Sequence, residues 1–220
     1  SLNSIKDQSQ NTNKKHLRHI STTEYYNRNA RAYYDHTVNL EISNRYNQFL
    51  KFIPLNGKIL DAGCGSGRDS LFFKQQGYSV VSFDISKDLV DLASRLIGQK
   101  VLHMSFNELN FENEFNGIWA SASLLHVPQE EIDDVFGKLS RALKKNGVLY
   151  ASFKYGDKER KDGDRFFNDF NEEKLNLLMN RHKNLKVEKY WITEDVREDR
   201  KNEFWMNVLF KLHSDKCDNE

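Results

Sequence analysis

Cysteine and proline are both scarce in this 220-residue sequence, which contains two of each. Cys64 and Cys217 lie far apart and fall in no metal-binding or disulfide pattern, so we expect no metal site and a reducing, cytoplasmic compartment. No apolar run reaches about 18 residues, which argues against a membrane-spanning helix. The first residues also lack the apolar core of a signal peptide, which argues against secretion.

Neither sign of charge is in excess, because 33 basic residues are balanced by 32 acidic ones and the net charge is +1. Such a balance creates no field that would attract nucleic acid or a membrane surface. We therefore expect neither as a partner, and the oligomeric state stays open. The length suits one α/β domain, whose core the 12% of aromatic residues can fill.

The two ends of the chain are polar and show no apolar periodicity. We predict a flexible tail over 1–20, a single domain over 21–213 and a frayed end over 214–220. Helices are predicted over 22–35 and 40–52, where apolar and tyrosine residues recur at the helical period. The first helix is a candidate lid over a binding site, and ordinary packing over the sheet is the alternative. Its tyrosines are Tyr25, Tyr26, Tyr33 and Tyr34.

Predicted strands and helices alternate along the rest of the chain. The predicted strands are Lys58–Asp61, Tyr78–Asp84, Lys100–Met104, Gly117–Ser123, Val148–Lys154, Leu185–Thr193 and Glu203–Leu212. The predicted helices are Arg68–Gln76, a helix capped by Ser86 that runs through Leu96, a helix from Pro128 to about Lys145, and Glu172–His182. This alternation predicts an α/β fold with a mostly parallel sheet and helices on both faces. The last two strands have no helix between them and should form an antiparallel hairpin at one edge.

The strongest functional signal is a glycine-rich segment between the first strand and the first helix. Its sequence is Ile59-Leu60-Asp61-Ala62-Gly63-Cys64-Gly65-Ser66-Gly67-Arg68-Asp69. Open α/β sheets bind ligands at this position, beyond the carboxyl ends of their strands. The spacing of Gly63, Gly65 and Gly67 is G-x-G-x-G, not the G-x-G-x-x-G of dinucleotide enzymes. Asp61 and Asp69 flank the loop, where carboxylates would repel a pyrophosphate and suit a cationic ligand. An ordinary tight turn is the alternative.

A second signal ends the next strand, in Val80-Val81-Ser82-Phe83-Asp84-Ile85-Ser86. Asp84 lies about twenty residues beyond the loop, where an acid can accept hydrogen bonds from both hydroxyls of a ribose. Capping of the following helix is the alternative, but Ser86 is already placed for that role.

The segments ILDAGCGSGRDS and VVSFDIS resemble the two cofactor motifs of class I S-adenosylmethionine-dependent methyltransferases, over roughly residues 22–212. The resemblance implies a Rossmann-like fold with S-adenosylmethionine as cofactor. It implies that Asp61 supports the methionine ammonium or the loop, and that Asp84 binds the ribose diol. The cofactor would also contact the glycine loop and the ends of the second and third strands. Those residues are Gly63, Cys64, Gly65, Gly67, Ile85 under the adenine ring, and Ser105 or Phe106 beside it.

The end of the fourth predicted strand borders the transferred methyl group in this class. Here it reads Ser121-Ala122-Ser123, without the catalytic acid or the Asn-Pro-Pro-Tyr-like motif of some members. This departure argues against methylation of adenine N6 or similar nucleic-acid groups. His126 follows as a candidate general base. Packing against the helix that begins at Pro128 is the alternative.

The carboxy-terminal third resembles small bacterial methyltransferases grouped with tellurite-resistance proteins. The resemblance lies in GIWASASLLHVP, SFKYG, DRFF and WITEDVREDR. It implies a small-molecule substrate, anionic or a soft nucleophile of the tellurite type. Arg197 and Arg200 are candidates to hold such an anion, and the alternative is that they pair with neighbouring acids in a solvated loop. A tRNA or other nucleic-acid methyltransferase, a non-catalytic cofactor-binding module and a nicotinamide oxidoreductase are the competing functions.

Overall fold

The computed structural model describes residue 36, residues 39–200 and residues 202–213. The predicted lid helix and both predicted tails therefore lie outside the described residues. The chain divides into two compact units, Ser1–Tyr46 and Asn47–Glu220. Residues 39–50 are helical (α1), in agreement with the helix predicted there. In the first unit, Glu41 and Arg45 form an ion pair one helical turn apart.

The second unit contains a seven-stranded sheet and a separate two-stranded hairpin. The strands are β1 (Lys58–Ala62), β2 (Ser79–Asp84), β3 (Leu102–His103), β4 (Phe115–Ala120), β5 (Leu143–Lys154), β6 (Glu159–Asp162), β7 (Arg165–Asn168), β8 (Leu185–Glu194) and β9 (Phe204–Leu212). The large sheet has the order β3-β2-β1-β4-β5-β9-β8. Strands β1 to β5 pair in parallel, and β9 pairs antiparallel with both β5 and β8. The predicted α/β class and the antiparallel terminal hairpin are confirmed, and β8 forms one of the two edges of the sheet.

Three helices connect the parallel strands, and a fourth lies between β7 and β8. They are α2 (Arg68–Gln75), α3 (Lys87–Ile97), α4 (Gln129–Ala142) and α5 (Glu172–Arg181). Ser86 caps α3 as predicted, since its hydroxyl accepts the Leu89 N–H at 3.4 Å. Gly98 ends the same helix in the left-handed conformation, with φ 72°.

The predicted end of α4 at about Lys145 is wrong. The helix ends at Ala142, and Leu143 already begins β5, five residues before the predicted start of that strand at Val148. Leu143 is buried and pairs with Phe115, so tertiary packing ends the helix. The expected breaker, Asn146 with φ 65°, instead shapes an irregularity within the strand.

The hairpin of β6 and β7 was not predicted from the sequence. Its first strand is four charged residues, Glu159 to Asp162, and such a run has no apolar alternation that would mark a strand. A two-residue turn at Gly163 and Asp164 joins the strands, with Gly163 at φ 62°.

Aromatic side chains fill both faces of the sheet. Trp119 stacks on Tyr150 at 4.1 Å between ring centroids, and Phe73 of α2 packs edge-on against Trp119. Phe136 of α4 packs on Phe210, which pairs with Leu149 and so lies on the opposite face from Tyr150. Helices thus cover both faces, as predicted. Among the described residues, no helix combines the length and apolar character needed to cross a membrane.

Candidate active site

The glycine loop is attached to the carboxyl end of β2, next to Asp84. The backbone N–H groups of Gly63 and Cys64 both donate to the Phe83 carbonyl, at 3.0 and 2.9 Å. The Gly65 N–H donates to Asp84 Oδ2 at 2.9 Å. Asp84 Oδ1 accepts the Ser86 N–H at 2.9 Å. The structure therefore brings together the two segments in which the sequence placed the ligand.

Two of the three loop glycines are required by close packing within the protein. A Cβ on Gly63, at φ 75°, would lie 2.5 Å from Ser123 Cβ. The Ser123 hydroxyl donates to the Ala62 carbonyl at 2.7 Å, which joins the ends of β1 and β4. A Cβ on Gly67 would lie 3.0 Å from Ala93 Cβ on α3. Gly65 differs, because a Cβ there would meet no atom within 4 Å. The space beside Gly65 is therefore open to a ligand.

Gly65→Ala is expected to weaken cofactor binding far more than it lowers stability. Gly98→Ala is a matched control, because both glycines have positive φ and open space around the added Cβ. Each variant should lose about 1–2 kcal/mol of unfolding free energy for its left-handed backbone. Calorimetric titration with S-adenosylmethionine should show weaker binding for Gly65→Ala alone, and Gly65→Val should bind worse still. Equal affinities of the two alanine variants for S-adenosylmethionine would mean that the cofactor does not lie against Gly65.

Asp61 lies beneath the loop in a buried polar network. Its side chain is 2% exposed, and Asp61 Oδ2 accepts the Ser70 hydroxyl at 2.6 Å. Ser70 in turn is 2.7 Å from the Ser82 hydroxyl. Burial, together with the negative charges of Asp69 and Asp84, raises the pKa of Asp61 to about 8. A cation bound nearby would favour the ionised form of this carboxyl, and the Ser70 hydrogen bond joins the end of β1 to α2.

Asp61→Asn is expected to stabilise the free protein, and increasingly so as the pH rises. The raised pKa means that, between about pH 4 and pH 8, folded Asp61 keeps a proton that the unfolded chain has lost. The native protein therefore loses stability across this range, whereas a neutral amide does not. Thermal unfolding at pH 5 and pH 8.5 measures the difference in Tm between Asp61→Asn and the native protein. This difference should be several degrees larger at pH 8.5, since about 1 kcal/mol shifts Tm by about 2–4 °C. A pH-independent difference would contradict the burial argument.

Asp69, the second flanking acid, binds within the protein. Its Oδ2 accepts the Trp119 indole N–H at 2.9 Å, and its Oδ1 lies 3.3 Å from Arg68 Nε. Sequence reasoning missed Ser70, Ser82 and Trp119 as supports of these acids. The sequence did offer a signal for the two serines. Ser82 lies inside the apolar strand β2 and Ser70 at the start of α2, and buried hydroxyls need hydrogen-bond partners.

Cys64 lies within the loop and is half-buried. Its thiol is 3.7 Å from the Gly65 carbonyl. Burial and the charges of Asp61 and Asp84 raise the pKa of the Cys64 thiol well above its ordinary range. The thiol is therefore neutral at physiological pH, which excludes it as a nucleophile.

The predicted adenine-contacting residues lie at the ends of β2 and β3. The Ile85 side chain is 71% exposed next to Asp84, so an apolar surface borders the carboxylate. Ser105 caps a short 3-10 turn, where its N–H and hydroxyl both donate to Glu108 Oε1. The Phe106 ring packs edge-on against Phe83 at 5.3 Å. Ile85 is thus available to a ligand, whereas the polar groups of Ser105 are used locally.

His126 lies beyond the end of β4 with a defined hydrogen bond. Its Nδ1 is 2.7 Å from the Phe166 carbonyl of β7. A carbonyl can only accept, so Nδ1 carries the proton and the neutral ring keeps its lone pair at Nε2. The side chain is exposed. Its Nε2 has no hydrogen-bond partner among the described residues, so His126 keeps the acceptor nitrogen that a general base requires.

Arg197 and Arg200 are both paired with carboxylates in the β8–β9 connection. Arg197 donates from Nε and Nη2 to the two Asp195 oxygens, at 3.0 and 2.7 Å. Asp195 also accepts the Trp205 indole N–H, and the hydrogen bonds from Arg197 and Trp205 hold the Asp195 pKa well below its ordinary range. Arg200 Nη1 lies 3.5 Å from Glu203 Oε2 and 3.6 Å from Asp162 Oδ2. These contacts favour the ion-pair alternative over an anion held by the two arginines.

The residues around the loop fit S-adenosylmethionine better than a dinucleotide. The open side of Gly65 and the exposed Ile85 side chain offer a surface on which a ligand can lie. Asp84 offers acceptors that match a ribose diol, and the buried Asp61 carboxyl, neutral in the free protein near pH 7, would ionise beside an ammonium. In the described part of the chain, no group of His, Cys, Asp or Glu side chains is arranged to hold a metal ion.

The sequence is similar to known methyltransferases. Residues 59–147 match the family described as a methyltransferase domain. An uncharacterized methyltransferase of Staphylococcus carnosus is 26% identical over 186 residues, which are 80% of this chain and 86% of that protein.

Solved methyltransferases share the fold. The Burkholderia thailandensis 1,6-didemethyltoxoflavin-N1-methyltransferase superposes with a TM-score of 0.66 and 18% identity, over 78% of this chain and 77% of that one. TehB from Haemophilus influenzae superposes with a TM-score of 0.63 and 17% identity, over 78% of this chain and 62% of that one. At these identities the likeness establishes the fold.

Proposed function

We propose that this chain, a class I S-adenosylmethionine-dependent methyltransferase, methylates a small molecule. The observation that carries the proposal is the hydrogen bond from the Gly65 N–H to the Asp84 carboxylate, beside the open space at Gly65 and at the carboxyl ends of the parallel strands. The near-zero net charge favours a small acceptor over a nucleic acid. The Burkholderia enzyme, whose structure contains 1,6-didemethyltoxoflavin and S-adenosylhomocysteine, is a precedent for a small acceptor on this fold.

The mechanism follows from the positions of the chain's own groups. Asp84 and the loop would hold the cofactor, which supplies an already activated methyl group when bound. His126 Nε2 would take a proton from the acceptor, and the bond from Nδ1 to the Phe166 carbonyl, which fixes the imidazole, supports this role. Holding an acceptor in line and excluding water can be worth about 7–11 kcal/mol of barrier.

A methyl-transfer screen, read out as release of S-adenosylhomocysteine, tests this proposal. The panel contains small oxyanions, thiols, amines and tRNA. We expect release with a small molecule and none with tRNA. Release with tRNA alone would favour the nucleic-acid alternative, and cofactor binding without release on any acceptor would favour a non-catalytic module.

The finer proposal, an anionic or soft acceptor of the tellurite type, does not require Arg197. We expect Arg197→Ala and Arg197→Lys to keep turnover within a few-fold of the native value, because the guanidinium already donates two hydrogen bonds to Asp195. Arg197→Ala should lower the unfolding free energy by only about 1 kcal/mol, since the side chain is 46% exposed. Steady-state kinetics and thermal unfolding measure both effects. Loss of turnover in both variants, with cofactor binding intact, would return Arg197 to an anion-binding role.

A further inference from the structure

Three cationic side chains surround one buried aromatic ring on the β6–β7 hairpin. Phe167 is 2% exposed. The guanidinium carbons of Arg160 and Arg165 lie 4.8 and 5.2 Å from its ring centroid, and Lys154 Nζ lies at 5.4 Å. Such a concentration of positive charge needs counter-charges.

Two of these three cations have a carboxylate partner. Arg160 Nε donates to Asp169 Oδ2 at 2.7 Å, and Lys154 Nζ donates to Glu203 Oε2 at 2.8 Å. Arg165 differs from both. Its side chain is exposed, and among the residues that the structure describes it forms no ion pair. The contact of its guanidinium carbon with the Phe167 ring leaves the N–H donors available to a ligand.

The position of Arg165 connects it to the candidate base. His126 packs on the same ring with a centroid distance of 5.0 Å, and its Nδ1 is bonded to the backbone of the neighbouring Phe166. The guanidinium and the imidazole therefore lie no farther apart than the sum of their two distances from the Phe167 ring. A small molecule can span that separation.

The hairpin is fixed along the segment that follows β4. The Asn168 amide donates to the Val127 carbonyl at 3.3 Å. The Gln129 N–H donates to Glu159 Oε1 at 2.6 Å. Both strands of the hairpin are therefore anchored next to His126, so Arg165 is held near this candidate base.

We propose that Arg165 binds the anionic group of the methyl acceptor and so selects a compact carboxylate or similar planar oxyanion. The proposal rests on the methyltransferase function proposed above. A planar guanidinium donates two parallel hydrogen bonds to such a group. One end of the acceptor then lies on Arg165, and its nucleophilic atom can reach toward His126.

Anion binding by variants tests the proposal without requiring turnover. Fluorine NMR would measure the binding of 4-fluorobenzoate and of its neutral isostere 4-fluorobenzamide, with and without saturating S-adenosylhomocysteine. We expect the native protein to prefer the benzoate. Arg165→Ala should lose at least about tenfold in benzoate affinity and leave the amide unchanged. The benzoate affinity of Arg165→Lys should lie between those of the native protein and Arg165→Ala, because lysine keeps the charge but cannot donate two parallel hydrogen bonds.

Lys161→Ala is the matched control. Lys161 is an exposed cation of the same hairpin that pairs with Phe166 and so points away from the Phe167 face. It should leave benzoate binding unchanged. Undetectable benzoate binding by the native protein, no preference over the amide, unchanged affinity in Arg165→Ala, or an equal loss in Lys161→Ala would each overturn the proposal.

The outcome is separable from the fate of the methyltransferase function. Release of S-adenosylhomocysteine with neutral acceptors only would keep that function and overturn the role of Arg165. If the protein failed to bind S-adenosylmethionine, the proposed methyltransferase function would be wrong. The titration with 4-fluorobenzoate in the absence of S-adenosylhomocysteine would still measure the contribution of Arg165.

Discussion

Asp84→Ala is expected to weaken S-adenosylmethionine binding by about 10- to 150-fold. This corresponds to about 1.5–3 kcal/mol, the worth of one hydrogen bond to a charged acceptor, and a diol offers two. The variant also leaves the Gly65 and Ser86 N–H groups without their acceptor, so the loop keeps only the bonds of Gly63 and Cys64 to the Phe83 carbonyl of β2. Calorimetric titration measures the affinity, and circular dichroism verifies that the variant is folded.

Asp88→Ala is the control for that experiment. Asp88 is an exposed acid in the first turn of α3, four residues beyond Asp84, and its removal takes away the same charge. We expect its affinity to stay within about twofold of the native value, because exposed charges contribute little. Native affinity in a folded Asp84→Ala variant would mean that the ribose lies elsewhere.

His126→Ala is expected to lower kcat by about 10²–10⁴-fold for an acceptor that must lose a proton, with cofactor affinity unchanged. The bond from Nδ1 to the Phe166 carbonyl gives the ring a fixed orientation and keeps the lone pair at Nε2. Single-turnover release of S-adenosylhomocysteine, beside calorimetric titration, separates the rate effect from binding.

His126→Asn distinguishes a base from a structural residue. Asparagine can still donate to the Phe166 carbonyl but has no titratable nitrogen. If His126 acts as a base, both variants should be slow. Recovery of turnover in His126→Asn would assign the residue to holding the hairpin in place.

The sequence was informative wherever one residue type has one physical use. Gly63 and Gly67 require positive φ and a missing side chain, and Ser86 caps α3 as its position suggested. The alternation of apolar strands and helices fixed the class of fold, and the missing helix before β9 predicted the antiparallel hairpin. These features are local, so a single sequence can carry them.

Long-range contacts account for what the sequence could not predict. The end of α4 depends on the pairing of Leu143 with Phe115, 28 residues earlier in the chain. The hairpin of β6 and β7 is charged, so its pairing left no periodic signal. The partner of Arg197 was undecided, because four acids stand near it in sequence and only the fold chooses Asp195.

At the cofactor site, Asp61 lowers the stability of the free protein but is expected to favour binding of the cofactor. Asp61 is destabilising as a buried carboxylate, and its raised pKa of about 8 is the measure of that strain. A cation bound above it would relieve the penalty. We therefore expect Asp61→Asn, although more stable, to bind S-adenosylmethionine more weakly, since an amide cannot compensate the ammonium.

A crystal structure of the protein with S-adenosylhomocysteine would locate the cofactor relative to Asp84 and the glycine loop. Both ribose hydroxyls are expected within hydrogen-bond distance of the Asp84 carboxylate, about 2.6–3.2 Å. The ligand is also expected to lie against the open side of Gly65. A ligand bound away from the Gly63–Gly67 loop, or a ribose that does not contact Asp84, would contradict the proposed cofactor site.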